Sequence, residues 1–239
     1  LYVASWAGGL RRYDLSINLR KPQNVPMPMD WQSQLSTCQD SAYIDTVSKI
    51  TGESIPVLKD YYLNPRDPGD GGNHNHKAFS VLAYDDRIWV GTANGINKGR
   101  IVEEITQISE NEFEILSCIE WDHYKYPTNG ISGNFVVALG KQDWNGQTTI
   151  WAATVGTGEA GEMQGLSYSR DEGVSWKTAL IGERVYNIES KDSLVFVSTS
   201  SGLWKSLDGE NWAKLDPAIE QSMLNQRQIL TNVVYAAKI

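Results

Sequence analysis

The sequence predicts an all-β protein assembled from repeated units. Short runs of β-branched and aromatic residues alternate with polar or glycine-containing turns, which is the pattern of antiparallel strands. One phrase also recurs: an apolar strand, a small polar turn, and a Gly-Leu or Gly-Ile pair that opens the next strand. Its sharpest copy is residues 196–203, near copies begin at Tyr2, Trp89 and Trp151, and a fifth begins at Val234. Self-similarity of this kind marks a repeat architecture.

The repeat has the size of one blade of a β-propeller. Three consecutive units contain four predicted strands each, and the last unit spans about forty residues, as a four-stranded blade does. The intervals between the aromatic starts of the phrase shorten along the chain, from 87 residues to 62, 45 and 39. The predicted strands are residues 79–83, 87–91, 100–108 and 112–119, then 135–139, 149–154, 165–169 and 175–180, then 185–188, 194–198, 202–206 and 212–215.

The chain begins and ends in the same phase of the repeat. Closure of a propeller ring commonly joins complementary phases from the two termini, whereas matching phases indicate part of a ring. About four blades are recognisable, and rings of six to eight blades are commoner than rings of four. We therefore expect residues 1–239 to form a single β-propeller domain or a fragment of one, covalently part of a longer chain.

A long loop insertion interrupts the first unit at residues 16–77. Six of its residues are prolines, which disfavours regular central strands. A helix is predicted at residues 41–50, a turn-forming run at 64–76, and a second helix at 218–226. A Gly-rich loop at residues 155–164 also lengthens a turn that is tight in the other units. Loops of such length inside compact domains are usually functional or disordered, so these departures from the repeat are where we expect function.

Charge and composition exclude several classes of partner. The formal net charge is −8 and the pI is about 4.9, and no cluster of Lys and Arg could neutralise phosphates, so we expect no nucleic-acid partner. No stretch reaches the ~20 apolar residues that span a bilayer, so we expect no direct membrane insertion. The two cysteines, Cys38 and Cys118, can pair in an oxidising compartment or remain as buried thiols.

Two turns carry a recognisable motif. Residues 169–176 read Ser-Arg-Asp-Glu-Gly-Val-Ser-Trp, and residues 206–212 read Ser-Leu-Asp-Gly-Glu-Asn-Trp. Both lie between the predicted third and fourth strands of their units. The first matches every defined position of the Asp-box pattern Ser-x-Asp-x-Gly-x-Thr/Ser-Trp, and the second is its shorter variant. The chain therefore resembles the Asp-box (BNR-repeat) propellers, which are related in fold to the sialidase superfamily.

The chemistry of these boxes is structural. Asp and Ser side chains bond to the backbone of the turn, Gly supplies a positive φ, and Trp covers the hairpin. Asp171 and Asp208 are accordingly poor catalytic candidates. The residues that we assign to this structural role are Ser169, Asp171, Gly173, Trp176, Ser206, Asp208, Gly209 and Trp212.

A second resemblance rests on residues 84–96. Tyr84-Asp85-Asp86 followed by a strand and a tight Asn-Gly turn is similar to the repeat of two-component-regulator-type propellers. That resemblance implies a periplasmic sensor portion of a signalling protein as an alternative function.

The sialidase resemblance does not extend to that family's catalytic residues. Sialidases place an Arg-Ile-Pro segment near the start, whereas this chain has Ser54-Ile55-Pro56, and its arginines fall at no matching positions. A propeller glycosidase needs only two carboxylates across a groove, one of them protonated. Because no such pair can be named among 29 acids, no catalytic residue is assigned, and glycoside hydrolysis stays an alternative.

One cluster could bind a divalent metal ion. Asp67, Asp70, His74 and His76 supply carboxylate and imidazole ligands, and the two histidines share one side if the stretch is extended. The competing interpretation is a polar turn with solvated histidines, since the spacing is not diagnostic. No other cofactor is assigned. His123, beside two tyrosines, is expected at the surface or in packing.

Aromatic residues in turns are candidates for contact with a ligand or partner. Trp89 and Trp151 fall in strands and are expected in the core. Four other tryptophans lie in or near turns, where an indole can contact a sugar or a protein, with packing at the rim as the competing interpretation. They are Trp6, Trp31, Trp121 and Trp144.

These observations favour a non-catalytic binding module over an enzyme. We expect an extracytoplasmic propeller, secreted, periplasmic or on the cell surface, that recognises a protein or a carbohydrate. The acidic charge, the structural role of the boxes and the missing sialidase motifs support that expectation. The alternatives are the glycoside hydrolase and the sensor portion, because a fold does not determine function.

Overall fold

The computed structural model describes residues 1–6, 8–13, 23–37, 73–109, 112–158, 160–215 and 233–238. It confirms the all-β prediction: these residues form sixteen strands in four antiparallel sheets, and their only helix is a single 3₁₀ turn, η1, at His74–His76. Both predicted helices, at residues 41–50 and 218–226, lie outside the described residues. The chain divides into two compact units, Leu1–Tyr124 and Lys125–Ile239. The expectation of one domain with an insertion at 16–77 stays a prediction.

Unit 1 contains a three-stranded sheet and a five-stranded sheet. Sheet 1 has the order β1-β2-β3, and sheet 2 has the order β4-β8-β7-β6-β5. Strands β7 and β8 form a long hairpin, and β1 packs beside β5. The strands are β1 (Tyr2–Ser5), β2 (Gly9–Arg12), β3 (Gln23–Val25), β4 (Gln34–Ser36), β5 (Ala78–Tyr84), β6 (Arg87–Thr92), β7 (Gly95–Ser109) and β8 (Glu112–Tyr124).

Two of these strands come from the segment that the sequence presented as a loop insertion. Strand β3 lies at an edge of sheet 1, and β4 lies at an edge of sheet 2, where it pairs with the far end of β8. Each is only three residues long. Edge positions suit this proline-rich segment because an edge strand needs backbone hydrogen bonds on one side only.

Unit 2 consists of two four-stranded meanders. Sheet 3 runs in order from β9 to β12, and sheet 4 runs from β13 to β16. The first strands of the two sheets, β9 and β13, pack beside each other. The strands are β9 (Val136–Trp144), β10 (Gln147–Thr154), β11 (Gly165–Ser169), β12 (Lys177–Ala179), β13 (Val185–Lys191), β14 (Leu194–Thr199), β15 (Gly202–Ser206) and β16 (Ala213–Lys214).

The recurring phrase corresponds to one recurring set of hydrogen bonds. The second strand of each meander ends in a buried threonine whose hydroxyl reaches the carbonyl of the glycine that opens the third strand. The distances are 3.1 Å for Thr92 and Gly95, 3.2 Å for Thr154 and Gly165, and 2.9 Å for Thr199 and Gly202. Gly95 has φ 101°, a value that residues with a Cβ rarely adopt. This turn explains why Thr and Gly repeat in the sequence.

Some strand limits differ from the predictions. The third strand of sheet 2 begins at Gly95 and not at Arg100, because the glycine of the phrase opens it. The fifth copy of the phrase forms no regular strand within residues 233–238. It nevertheless packs in unit 2, where the Val234 N–H donates to the Thr199 carbonyl at 3.0 Å and the rings of Tyr235 and Tyr186 lie 4.9 Å apart.

Each unit has its own apolar core. In unit 1 it joins both sheets, with Leu10 and Met27 beside Ile88, Val90 and Trp121. In unit 2 it centres on Trp151, whose ring contacts Tyr168 at 5.0 Å and Trp212 edge-on at 6.0 Å. Cys118 is buried in unit 1 and is disulfide-bonded, and Cys38, the other cysteine of the sequence, lies outside the described residues.

Candidate functional site

One β-turn of unit 1, residues 29–32, carries an exposed tryptophan on a hydrogen-bonded backbone. The Gln32 N–H donates to the Met29 carbonyl at 2.9 Å, and the Gln32 side-chain oxygen accepts the Met29 N–H at 2.7 Å. Trp31 occupies the third position of this turn and is 74% exposed. A large ring on a fixed turn loses little entropy when it binds, so Trp31 is a strong candidate for contact with a ligand.

Asp30, the residue before Trp31, anchors the turn to two distant segments. Its Oδ1 accepts the Asn75 N–H at 2.7 Å and the Asn94 side-chain amide at 3.1 Å, and its Oδ2 accepts the His74 N–H at 2.9 Å. The Asp30 N–H donates to Asn73 Oδ1 at 3.1 Å. We call the exposed part of this group the Asp30 surface: Asp30, Trp31, His74 and Asn94.

A buried amide pair supports this surface from below. Asn75 and Asn97 are fully buried, and each side-chain NH₂ donates to the other's oxygen, at 2.8 and 2.9 Å. The Asn75 amide also donates to the Pro28 carbonyl at 2.7 Å, and its oxygen lies 2.9 Å from the Thr92 hydroxyl. A buried polar network with every member satisfied favours one arrangement of its segments.

The two histidines of η1 have different environments. His74 is exposed, whereas His76 is buried with Nε2 2.8 Å from the Met27 carbonyl. Burial lowers the pKa of His76 to about 4. The hydrogen bond to the Met27 carbonyl acts in the opposite direction but is the weaker effect. His76 is therefore neutral at pH 7 and donates from Nε2. Its ring stabilises the segment that leads into the Trp31 turn.

The described residues do not test the prediction of a divalent metal site at Asp67, Asp70, His74 and His76. Asp67 and Asp70 lie outside the described residues, and the residues that the structure does describe contain no group of three His, Cys, Asp or Glu side chains able to hold a metal ion. His74 and His76 lie close in sequence, but the Nε2 of His76 already faces a carbonyl.

His123, expected from the sequence at the surface or in packing, is a buried structural residue. It is buried in β8, and its ring nitrogens face two backbone carbonyls, Gln32 at 2.9 Å from Nδ1 and Asn94 at 2.6 Å from Nε2. The ring thus links the end of the Trp31 turn to the β6–β7 turn. Ile119, Trp121 and His123 share the buried face of β8, so strand alternation is a signal for burial of this ring but not for its two partners.

The other candidate tryptophans fall into two groups. Trp6 is 56% exposed in the β1–β2 turn of unit 1, and that turn lies against η1, since a side chain at Gly9 would come within 3.5 Å of the His76 carbonyl. Trp144 is 50% exposed at the end of β9 in unit 2. Trp121 is only 2% exposed, because it lies on the inward face of β8, so its ring is not open to a ligand.

In the two Asp-containing turns of unit 2, each aspartate accepts hydrogen bonds from residues of its own turn. Asp171 accepts the Ser175 N–H and the Ser169 hydroxyl, both at 2.8 Å, and the Ser175 hydroxyl at 2.5 Å. Asp208 accepts the side-chain amide of Asn211 at 2.6 Å and its N–H at 2.7 Å. These bonds lower the pKa of Asp171, through Ser175 first, and that of Asp208, through Asn211 first.

Serine and glycine complete both turns. The hydroxyls of Ser169 and Ser206 accept the N–H groups of Gly173 and Gly209, each at 2.8 Å. Trp176 is buried, and the indole of Trp212 donates to the Gly209 carbonyl at 3.2 Å. The side chains of the motif are thus engaged within the turns, which leaves Asp171 and Asp208 few lone pairs for a substrate.

In the long loop of unit 2, residues 155–164, Glu162 forms the main side-chain hydrogen bonds. Within the described part of residues 155–164, Glu162 accepts the Thr157 hydroxyl at 2.6 Å and the Asn134 N–H at 3.1 Å. The Met163 N–H donates to the Ser132 carbonyl at 2.9 Å. The loop exposes Met163 and no aromatic ring, so it offers less contact area than the Trp31 turn.

Comparison with known proteins places the chain in no family. No family model matches it, and no curated protein matches it. Among solved structures it is similar to an extracellular domain assigned to a one-component system of B. thetaiotaomicron, at 11% identity and a TM-score of 0.26. The match covers 69% of this chain and 30% of that chain. A TM-score this low supports no transfer of fold or function. Within the described residues, no helix has the length and apolar character needed to cross a membrane.

Proposed function

We propose that this chain is a non-catalytic binding module built of β-propeller blades, which recognises a protein or a glycan outside the cytoplasm. The observation that carries the proposal is Trp31, an exposed indole on a turn that Asp30 fixes through three remote hydrogen bonds. Rigid, exposed aromatic residues supply large contact area at low entropic cost, both in protein interfaces and against sugar rings.

The arrangement of the sheets supports propeller blades. Sheets 3 and 4 of unit 2 are four-stranded meanders, and their first strands, β9 and β13, pack beside each other. The first strands of successive blades lie in this way around the channel of a propeller. The internally bonded turns at Asp171 and Asp208 fit the structural role of an Asp box.

The disulfide supports a location outside the cytoplasm. Cys118 is disulfide-bonded, and disulfides persist chiefly in oxidising compartments such as the periplasm or the cell exterior. The acidic surface expected from a net charge of −8 disfavours nucleic acid as the partner. The glycoside hydrolase and sensor alternatives stay predictions, since no described carboxylate pair is set apart by its environment and no family match bears on a sensor role.

The proposal is tested by binding screens on wild-type protein and two tryptophan variants. We expect a glycan array or a pull-down with extracytoplasmic proteins to give ligands whose binding falls at least tenfold in Trp31→Ala, since such anchors carry over ~1 kcal/mol each. Trp144→Ala tests the other exposed candidate, which lies in unit 2, and we expect it to lower binding less than Trp31→Ala does. Equal binding by wild type and Trp31→Ala would contradict the proposal.

A further inference from the structure

The β9–β10 hairpin of unit 2 ends in an exposed Asn-Gly pair that the function proposed above does not use. Asn145 and Gly146 form the two-residue turn between Trp144 and Gln147, which pair across the hairpin. Both have positive φ, 51° for Asn145 and 74° for Gly146, as a two-residue turn of this kind requires. A Cβ added at Gly146 would meet nothing within 4 Å, so the tip of the turn stands clear of the described chain.

An asparagine that precedes a glycine can react with its own backbone. The backbone nitrogen of the glycine can attack the side-chain amide carbon of the asparagine, because both atoms belong to one short segment and meet as if at high concentration. The glycine has no side chain to obstruct that approach. Asparagine is for this kind of reason among the thermolabile residues of proteins. An Asn-Gly pair is therefore a reactive site wherever the local structure leaves it free to move.

The sequence contains two further Asn-Gly pairs, and in both of them the asparagine side chain is engaged. The Asn94 amide donates to Asp30 Oδ1 at 3.1 Å in unit 1. The side-chain oxygen of Asn129 accepts the Lys125 N–H at 2.9 Å, and the Asn129 N–H donates to the Lys125 carbonyl at 2.9 Å. Each of these side chains must lose a hydrogen bond before it can turn towards the nitrogen that follows it.

Asn145 is not restrained in this way. Among the described residues, neither its side chain nor the Gly146 N–H has a hydrogen-bond partner. Attack requires the tip of the hairpin to open, and the pair that must separate first, Trp144 and Gln147, is exposed on both strands. Exposed ends of elements open at a much smaller free energy than buried strands do. Asn145 is thus the asparagine of the three that reaches the reactive geometry most easily.

We propose that Asn145 is a site of spontaneous deamidation. The Gly146 nitrogen loses its proton to hydroxide and forms a bond to Cγ of Asn145, the Cγ–Nδ2 bond breaks, and the nitrogen leaves as ammonia after taking a proton from water. A second water molecule then opens the resulting five-membered imide at either of its two carbonyls, which gives aspartate or isoaspartate. Nothing is oxidised or reduced, and water is the only co-reactant.

The product changes the surface around Trp144. A new carboxylate stands next to this indole, which is 50% exposed, and two residues from the exposed Asp143. Isoaspartate also adds one carbon to the backbone of the turn, and the length of the turn fixes the register of a hairpin. The modification is therefore an irreversible change of one candidate contact surface of unit 2, and the inference holds whether or not Trp144 binds a partner.

Peptide mapping by mass spectrometry tests the site on the full chain, incubated for weeks at neutral and at mildly alkaline pH. We expect an acid in place of the amide at Asn145, formed at least about tenfold faster than at Asn94 and Asn129, because release of their hydrogen bonds makes opening rarer. Conversion should be faster at the higher pH, since the attacking nitrogen must lose its proton. Asn145→Gln, whose longer side chain is badly placed for the attack, should show no conversion at this position.

The chain unfolded in urea is the control for the effect of sequence. In urea the three Asn-Gly pairs should react at similar rates, so that a difference in the folded protein arises from the structure. Equal rates at the three asparagines of the folded protein would overturn the proposal. So would an Asn145 that stays intact in the folded protein while it reacts in urea, because the hairpin would then protect it.

Discussion

Asp30 in unit 1 and Asp208 in unit 2 both accept backbone N–H groups, but from donors at very different distances along the chain. The donors to Asp30 are 44 to 64 residues away, at His74, Asn75 and Asn94. The backbone donors to Asp208 are Glu210 and Asn211, two and three residues away. Asp208 thus shapes one exposed turn, whereas Asp30 joins three segments that lie far apart in the chain. The same side chain stabilises local structure in one unit and tertiary structure in the other.

The largest expected effect is that of removing Asp30. Asp30→Ala leaves the N–H groups of His74 and Asn75 and the Asn94 amide without their acceptor, and we expect a loss of about 3–4 kcal/mol in the free energy of unfolding by urea. Asp208→Ala is the matched variant, and its turn is open to water, so we expect its melting temperature to fall by only about 2 °C. If both variants lost stability equally, the distinction between local and tertiary anchors would be wrong.

The second-largest expected effect is a pH dependence of the free energy of unfolding, caused by His76 in unit 1. His76 has a pKa of about 4 in the folded protein, against about 6.5 in an unfolded chain, because burial disfavours its charged form. The unfolded chain therefore binds the proton first as pH falls. Stability should decrease between pH 6.5 and pH 4, by at most about 3 kcal/mol, and this contribution should be constant above and below that range.

Urea unfolding of wild type and His76→Gln at several pH values measures this contribution. The variant should show a smaller slope between pH 6.5 and pH 4. The turn at Asp208 should add slope only near pH 4 and below, because the hydrogen bonds from Asn211 keep the pKa of the folded carboxyl below its ordinary value while the unfolded carboxyl begins to bind a proton there. An unchanged slope in His76→Gln would show that burial of this ring is not what makes unit 1 sensitive to acid.

The smallest expected effect is a difference in stability cost between equivalent threonine variants in two copies of the repeated turn. Thr92 and Thr199 each accept an N–H two residues later at 3.1 Å, but only Thr92 also reaches a remote amide, the Asn75 oxygen at 2.9 Å. We expect Thr92→Val to cost about 2 kcal/mol and Thr199→Val about 1 kcal/mol in urea unfolding. Equal losses would mean that the bond to Asn75 contributes nothing beyond the turn itself.

The strands of unit 2 could be predicted from the sequence because each one pairs with its neighbour in the chain. Short meanders depend on alternating apolar residues and on turn residues, and both are visible locally. Strands β3 and β4 were missed because their partners are set by edge pairing within a proline-rich segment. The sequence suggests a turn near Trp121, whereas β8 extends to Tyr124 and puts Trp121 on its inward face.

The candidate site was predicted only in part. Trp31 was singled out as an aromatic residue near a turn, but nothing local to Asp30 or His123 indicates their roles, since their hydrogen-bond partners lie more than 25 residues away. The Asn residues at positions 73 and 75 were interpreted as turn formers. The polar and charged residues that β4, β6, β7 and β8 place on one face of sheet 2 could not be predicted for a similar reason, because the registers of these strands bring them together.

The sequence by itself determined the all-β class, the repeated Thr-Gly turn and the closed turns at Asp171 and Asp208, because each depends on residues within one turn or one pair of adjacent strands. The tertiary structure alone decided which aspartate anchors distant segments, which tryptophans are exposed and where cations and carboxylates share one face. Those outcomes depend on strand register and on burial, which arise only when segments far apart in the chain pack together.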